Sequence, residues 1–149
     1  MKLIDVPPVW LLLFLLATWL QTEKLSVGLS FGGAWADFLG GILVGGGVLL
    51  NGLALREFIR YSTTILPHKT PSCLIQTGIF SRTRNPIYLG DVMILAGLVF
   101  WWDAVLSLAL IPIFVWIMER RFIVKEENRM RREFKLEFAR YERMVRRWI

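Results

Sequence analysis

Two polar segments of this chain carry residue types that could do chemistry. The first runs from Thr77 to Gly90 and contains Arg84 and Tyr88, and the second is the acidic pair Glu126–Glu127. Only two apolar runs, divided by Asp103, lie between these segments. A guanidinium can bind a carboxylate, and carboxylates can accept hydrogen bonds from hydroxyl and amino groups. Such groups at one end of a pair of apolar helices predict a polar pocket at a membrane surface, which a simple membrane anchor would not need.

The composition of the chain is that of an integral membrane protein. Hydrophobic residues make up 55% of its 149 residues, against roughly 45–50% apolar residues in soluble domains. The charged residues are concentrated in a few segments, and the remainder of the chain is nearly free of charge. We expect a single all-α membrane domain over residues 1–149. Because the chain has one Cys and one His, a metal site is not expected.

Four apolar runs predict four transmembrane helices, at about residues 6–22, 38–56, 87–102 and 104–120. A helix needs about 20 residues to cross the hydrocarbon core, so aromatic and polar flanks must complete the shorter runs at the interfaces. The third and fourth runs are separated only by Asp103. A single continuous helix would place this carboxylate in the middle of the membrane, which costs several kcal/mol. We therefore predict a tight hairpin with its turn at Asp103.

The distribution of Lys and Arg predicts the orientation in the membrane. With the N-terminus inside, Lys24 is the only basic residue outside, and the other basic residues, including those from Arg120 to Arg147, are on the cytosolic side. This arrangement satisfies the positive-inside rule and predicts that both termini lie in the cytosol. The short spans fit a thin, bacterial-type bilayer, so we expect the bacterial inner membrane as the location. It also accounts for the net charge of +6. Membrane lipids are therefore expected as partners, and nucleic acid is not.

The second span is rich in glycine, which lets helix backbones approach each other closely. Gly41 and Gly45 form a small-xxx-small pair in this span. The pair favours either packing within one helix bundle or a homodimer through the second span.

The remaining segments are predicted to lie on the cytosolic side. Residues 57–86 predict a loop, because the prolines in this segment exclude a continuous helix. Residues 121–147 predict an amphipathic helix with an aromatic stripe on one face and basic residues on another. The two polar segments described above would thus meet at the cytosolic end of the hairpin.

The segment Arg84-Asn85-Pro86-Ile87-Tyr88-Leu89-Gly90 resembles the Arg-(His/Asn)-Pro-x-Tyr-x-Gly motif of the isoprenylcysteine carboxyl methyltransferase family and its bacterial relatives, a group linked to the phospholipid methyltransferases. The tail that begins at Glu126–Glu127 resembles the Glu-Glu tail of the same family, and the resemblance covers about residues 60–149. Asn85 stands where the eukaryotic members have His. Lys135 replaces the Gly that follows an aromatic residue in the family pattern.

This resemblance implies S-adenosyl-L-methionine as the cofactor and methyl transfer at the boundary between membrane and cytosol. Arg121 is adjacent to the position of a substrate-contacting Arg in the family, and Arg121 and Tyr88 are the candidate catalytic residues. Arg84, or backbone N–H groups near Asn85, could bind the carboxylate of the cofactor, and a glutamate could accept from its amine or ribose hydroxyls. The candidate cofactor-binding residues are Ser72, Cys73, Leu74, Ile75, Phe80, Arg84, Asn85, Pro86, Ile87, Tyr88, Glu126 and Glu127.

The sequence leaves the methyl acceptor open. We expect a hydrophobic or amphipathic molecule that enters between helices from the bilayer and is methylated on O, N or S. Asp91, about one helical turn beyond Tyr88, is expected to line the pocket, with Arg56, Arg60 or the amine of the cofactor as its partner; the alternative is an Asp at the membrane interface. Two other functions remain as alternatives. One is an NADPH-dependent membrane reductase, because the segment 86–91 also resembles sterol reductases, and the other is a non-enzymatic membrane scaffold.

Overall fold

The computed structural model describes residues 5–25, 28–64 and 71–149. Residues 65–70 of the predicted loop lie outside the described residues. Every regular element in the described ranges is helical, which confirms the all-α prediction. In chain order the elements are α1 (Pro7–Lys24), α2 (Ala34–Arg60), a 3₁₀ helix (Gly78–Ser81), α3 (Pro86–Trp101), a second 3₁₀ helix (Val105–Ala109), α4 (Leu110–Met118), a π-helical turn (Glu119–Ile123) and α5 (Val124–Met144).

One of the described helices, α2, is long and apolar enough to cross a membrane. It has 27 residues and a mean hydropathy of 1.9 over its most apolar window, whereas the apolar helix α3 is shorter. Large apolar side chains on α2 are exposed, for example Phe38 (71%) and Ile59 (69%). A helix that is apolar on its outer as well as its inner side is typical of a membrane span. These features indicate membrane association, and the four-span topology stays a prediction.

The helices α2 and α3 pack with their backbones in close approach. A Cβ atom built on Gly47 of α2 would lie 2.5 Å from the carbonyl oxygen of Gly90 on α3, and one built on Gly40 would lie 2.7 Å from the carbonyl oxygen of Gly97. No real side chain fits at such distances, so this interface requires glycine on both helices. The contact fixes α3, which begins at the candidate site, against the longest apolar helix.

The glycines that were singled out in the sequence do not make this contact. A Cβ atom on Gly41 or on Gly45 would have no atom of the described residues within 4 Å. These two glycines therefore lie on a face of α2 that nothing described in this chain covers. The homodimer through the second span stays a prediction.

The connection between α3 and the next helical segment is a tight turn at Asp103. This residue has a positive φ of 54°, which Asp tolerates better than most residues, and its carboxylate accepts a hydrogen bond from the backbone N–H of Phe31 (2.7 Å). The following segment begins as a 3₁₀ helix rather than as the continuous helix expected over 104–120. Pro112 explains the difference, because its ring clashes with the carbonyl group four residues earlier and it has no N–H to donate.

The chain stays helical from α4 through the π-helical turn into α5, so no loop separates the last apolar helix from the C-terminal helix. The α-helical part of the predicted segment 121–147 begins at Val124 and ends at Met144. Inside α5, Lys135 has non-helical backbone angles (φ 38°, ψ −109°) and marks a kink. Lys135 is the residue that replaces Gly in the family pattern, and a positive φ is a conformation that glycine adopts without strain.

An apolar core lies beside the two polar segments. Leu95 and Val99 of α3 and Phe114 and Met118 of α4 are fully buried in it. The first helix packs on the same core, with the ring of Phe14 edge-on to that of Phe114 at 5.1 Å between centroids. The helices α1, α3 and α4 therefore form one unit, and their ends at one side are held in fixed positions around the candidate site.

Replacing Lys135 by Gly is predicted to stabilise the protein. A positive φ in a residue with a Cβ atom costs about 1 kcal/mol, so Lys135→Gly should raise the free energy of unfolding by about that amount. The matched control is Lys125→Gly, an exposed lysine in the regular part of α5, which should lower stability by about 1 kcal/mol. Thermal unfolding in detergent measures both, and equal losses for the two variants would contradict the strain at Lys135.

Candidate functional site

Two adjoining cavities lie where the start of α1, the end of α2 and the starts of α3 and α5 meet. The larger has a volume of about 320 Å³ and the smaller about 70 Å³. They share five lining residues, so the two cavities adjoin each other. The shared residues are Phe58, Phe80, Arg84, Asn85 and Glu126.

The turn before α3 is shaped by its own sequence. Pro86 occupies the first position of the helix, where its missing N–H is not needed and its fixed φ suits a helix. The hydroxyl oxygen of Thr83 accepts from the backbone N–H of Asn85 (3.2 Å). The side-chain amide of Asn85 then donates to the carbonyl oxygen of Arg147 (3.0 Å). These bonds hold Asn85 buried at the border of both cavities.

Tyr88 and Glu126 join α3 to α5 across the site. The hydroxyl group of Tyr88 donates to Oε1 of Glu126 at 2.6 Å, and both residues line the larger cavity. Burial raises the pKa of the Glu126 carboxyl from 4.5 to about 7, although the hydrogen bond from Tyr88 and the positive charge of Arg129 lower it. A carboxyl group with a pKa near neutrality can both accept and release a proton at physiological pH.

Arg84 is a buried cation with unused hydrogen-bonding capacity. Its side chain is 10% exposed, and its Nη2 pairs with Oε1 of Glu127 at 3.1 Å. Its Nη1 forms a second ion pair, 2.9 Å from Oε1 of Glu142, and its Nε has no hydrogen-bond acceptor among the described residues. Buried donors normally have partners, so an anionic ligand is the group that would complete this site.

The two adjacent glutamates have different surroundings. Glu126 lines both cavities, whereas Glu127 lines only the smaller one. Glu127 is 4% exposed, and Arg147 donates to it from Nε (3.1 Å) and from Nη2 (2.7 Å). Arg84 and Arg131 also pair with this carboxylate. Glu127 is thus part of a structural ion-pair network, whereas Glu126 is the acid that lines both cavities.

Most of the residues proposed from the sequence meet at these cavities. Cys73, Leu74 and Ile75 line the smaller cavity, and Pro86 and Ile87 line the larger. The remaining members of the proposed set that line one or both are Phe80, Arg84, Asn85, Tyr88, Glu126 and Glu127.

Ser72 and Arg121 line neither cavity. Ser72 is exposed, and its backbone N–H donates to the hydroxyl of Thr63 (3.0 Å). Arg121 donates from Nε to Asp5 (2.6 Å), and its guanidinium lies 5.2 Å from the centre of the Trp10 ring. The ion pair raises the pKa of Arg121 above its ordinary value. Arg121 therefore fixes the start of α1, which is a wall of the larger cavity, instead of facing that cavity itself.

Asp91 also lies away from the two cavities. It is buried between α3 and α2, where the side-chain amide of Asn51 donates to its Oδ1 at 3.0 Å. The expected partners Arg56 and Arg60 are exposed near the end of α2, so the prediction for Asp91 is wrong. The reason is the close packing described above, which turns the face of α3 that carries Asp91 toward α2.

The sequence did not reveal three contributors to the site. The start of α1 forms one wall through Val6, Pro7 and Pro8, but this segment is distant in sequence from both motifs. Thr83 shapes the turn before α3. Arg147 binds Glu127, but in the sequence it is one of many basic residues in the tail. The regular spacing of Phe138, Tyr141 and Val145, which are buried together, was the available signal that the tail packs inward.

The stability of the protein is predicted to depend on pH through Glu126. Its carboxyl pKa is raised in the folded state, so protonation favours folding, and this contribution is lost as pH rises through about 7. Lowering the pH from 8 to 6 should stabilise the protein by on the order of 1 kcal/mol, or about 2–4 °C in melting temperature. Glu126→Gln removes the titrating group and should remove this pH-dependent increment. Equal pH slopes in both proteins would contradict the assignment.

One comparison with known proteins bears on the chain as a whole. Residues 35–137, more than half of the chain, match the model of the phospholipid methyltransferase family. The match includes α2, α3, α4 and the glutamate pair, and it excludes α1 and the last twelve residues, which the structure nevertheless brings to the site. No curated protein and no solved structure matches the chain. The chain belongs to the phospholipid methyltransferase family, a family of membrane methyltransferases.

Proposed function

We propose that the protein is an integral membrane methyltransferase that uses S-adenosyl-L-methionine and acts on an amphipathic or lipid-like acceptor at the cytosolic face. The observation that carries this proposal is the buried side chain of Arg84. It lines both cavities, and its Nε is a buried donor without a hydrogen-bond acceptor among the described residues. A family of methyltransferases supplies the reaction type, and Arg84 supplies the site for an anionic group of the cofactor.

The residues of the site fit the functional groups of this cofactor. Arg84 would bind its carboxylate, Glu126 would accept from its amine or from a ribose hydroxyl, and the ring of Phe80 would contact its adenine. When bound, S-adenosyl-L-methionine supplies an activated methyl group on a sulfonium. The chain would therefore contribute mainly position and the exclusion of water.

The larger cavity also has the character of an acceptor site. Its walls include the apolar side chains of Val6, Pro7, Phe58 and Ile87, whereas its polar groups belong to the motif residues. A molecule with an apolar chain and one polar group matches this division. Where the acceptor loses a proton on methylation, the Glu126 carboxylate, hydrogen-bonded to the Tyr88 hydroxyl, is a group that can take it up.

The alternatives are less well supported. The family match names a methyltransferase family, and no specific observation favours an NADPH-dependent reductase or a non-enzymatic scaffold. For the location, we propose four spans in the bacterial inner membrane with both termini in the cytosol. The exposed turn at Asp103 would then lie on the opposite side of the membrane from α5.

The topology can be tested with single cysteines in a Cys73→Ser background. Asp103→Cys should react with a membrane-impermeant thiol reagent in sealed cells, because the turn at Asp103 would face outward. Arg143→Cys, at an exposed position of α5, is the control and should react only after lysis. Protection of the cysteine at position 103 until lysis would contradict the four-span arrangement.

The cofactor assignment predicts that S-adenosylhomocysteine binds the purified protein and stabilises it. A ligand that binds only the folded state adds about 2.7 kcal/mol at 100 times its Kd, which thermal unfolding detects readily. Glu126→Gln should weaken this binding about tenfold, because it removes the charge of the hydrogen-bond acceptor while the side chain keeps a similar volume. Glu133→Gln, which removes an exposed charge from the same helix, should leave the binding unchanged.

Stabilisation of the wild type by NADPH, and not by S-adenosylhomocysteine, would contradict the methyltransferase proposal and support the reductase. Stabilisation by neither ligand would leave the scaffold as the better account. Unchanged affinity for S-adenosylhomocysteine in Glu126→Gln would show that the acid does not contact the cofactor.

A further inference from the structure

Arg84 lies between two carboxylates that are each bound by a second arginine. Glu127 lies on one side and is also bound by Arg147, and Glu142 lies on the other and is also bound by Arg131. The hydrogen bond from Arg131, together with the contacts and charge of Arg84, lowers the pKa of the Glu142 carboxyl. Arg84 therefore pairs with two anions through Nη1 and Nη2, and its Nε has no hydrogen-bond acceptor among the described residues.

The segment after α5 holds Arg147 in position. Val145 is buried beside Phe138 and Tyr141, and residues 145–148 then cross the turn before α3. The backbone N–H of Arg84 donates to the carbonyl oxygen of Arg146 (3.0 Å), and Asn85 donates to the next carbonyl oxygen along the chain. We name residues 145–148 the C-terminal strap.

The guanidinium of Arg147 is fixed from two sides. It donates to both oxygens of Glu127 through Nε and Nη2, and its Nη1 donates to Glu119 in the π-helical turn. The indole N–H of Trp148 also donates to Glu119 (3.5 Å). Arg147 thus binds both oxygens of Glu127 and connects this carboxylate to Glu119 in the π-helical turn.

We propose that Arg147 is a positioning residue that limits Glu127 to a single contact with Arg84, through Nη2, so that Nε of Arg84 stays available to the carboxylate of the cofactor. This inference rests on the proposed function. Without Arg147, Glu127 keeps Arg84 as its most buried cationic partner, since the side chain of Arg131 is 42% exposed and is held by Glu142. The buried carboxylate would then turn fully toward Arg84, because an unpaired buried charge is costly. The strap lies outside the segment that matches the family.

The test compares S-adenosylhomocysteine with its decarboxylated analogue, S-adenosyl-3-thiopropylamine, as ligands of the purified protein in detergent. Calorimetric titration gives both Kd values. Arg147→Ala should weaken the binding of S-adenosylhomocysteine by about tenfold, the equivalent of one hydrogen bond to a charged group. It should leave the affinity for the analogue unchanged, because the analogue has no carboxylate for Arg84 to bind.

The double variant Arg147→Ala/Glu127→Gln separates a positioning role from a structural one. It removes the carboxylate that would neutralise Arg84, so it should restore the affinity for S-adenosylhomocysteine to within a few-fold of the wild type. Arg143→Ala removes an exposed positive charge of α5 outside the network and should change neither Kd. Should Arg147→Ala fail to fold, Arg147→Lys, alone and with Glu127→Gln, gives the same comparison with a smaller loss.

Equal losses for both ligands, without recovery in the double variant, would show that Arg147 only supports the fold and would overturn the inference. Unchanged binding of S-adenosylhomocysteine in Arg147→Ala would overturn it as well. A wild-type protein that binds S-adenosylhomocysteine no more tightly than the analogue would show that Arg84 does not bind the carboxylate. A wild type that binds neither ligand would instead refute the proposed function, so the two failures are distinguishable.

Discussion

The ion-pair network around Arg84 is the constraint on which the candidate site depends. It connects the turn before α3, the first turn of α5 and the C-terminal strap, three segments that are far apart in sequence. A buried charge is tolerated only when it is paired and hydrogen-bonded, so each member of the network requires the others. Displacing any one of these segments would leave a charge uncompensated, and the geometry of the three is therefore coupled.

The apolar part of the molecule provides the fixed base for this network. The glycine contact between α2 and α3 and the buried core shared by α1, α3 and α4 determine where α3 begins. Pro86 then places Tyr88 within the first turn of α3, within reach of Glu126. The polar segments are attached to rigid helices rather than to long loops. Their side chains can therefore be held with the positional precision that a group-transfer reaction requires.

The site residues that local sequence patterns specify could be predicted, and those that depend on distant packing could not. The Arg-Asn-Pro-x-Tyr segment and the glutamate pair flank one hairpin, so the contact between Tyr88 and Glu126 follows from chain connectivity. The roles of Pro7 and Arg147 depend on how the two ends of the chain return to the centre, which helical periodicity does not encode. Likewise Asp91 was assigned to the pocket from its spacing to Tyr88, but its face is set by the glycine contact with α2.

The neighbouring glutamates illustrate how one helix divides two tasks. Successive residues of an α-helix point about 100° apart. Both side chains line the smaller cavity, but only Glu126 also lines the larger one. Glu127 belongs to the ion-pair network, because arginines bind both of its carboxylate oxygens. Glu126 accepts a hydrogen bond from the phenol of Tyr88 and has a raised pKa, since burial outweighs the nearby positive charge. Because the arginines of the network pair with Glu127, they do not hold the carboxyl of Glu126 in its ionised form. The protonation state of Glu126, which lies beside the cavities, can therefore change.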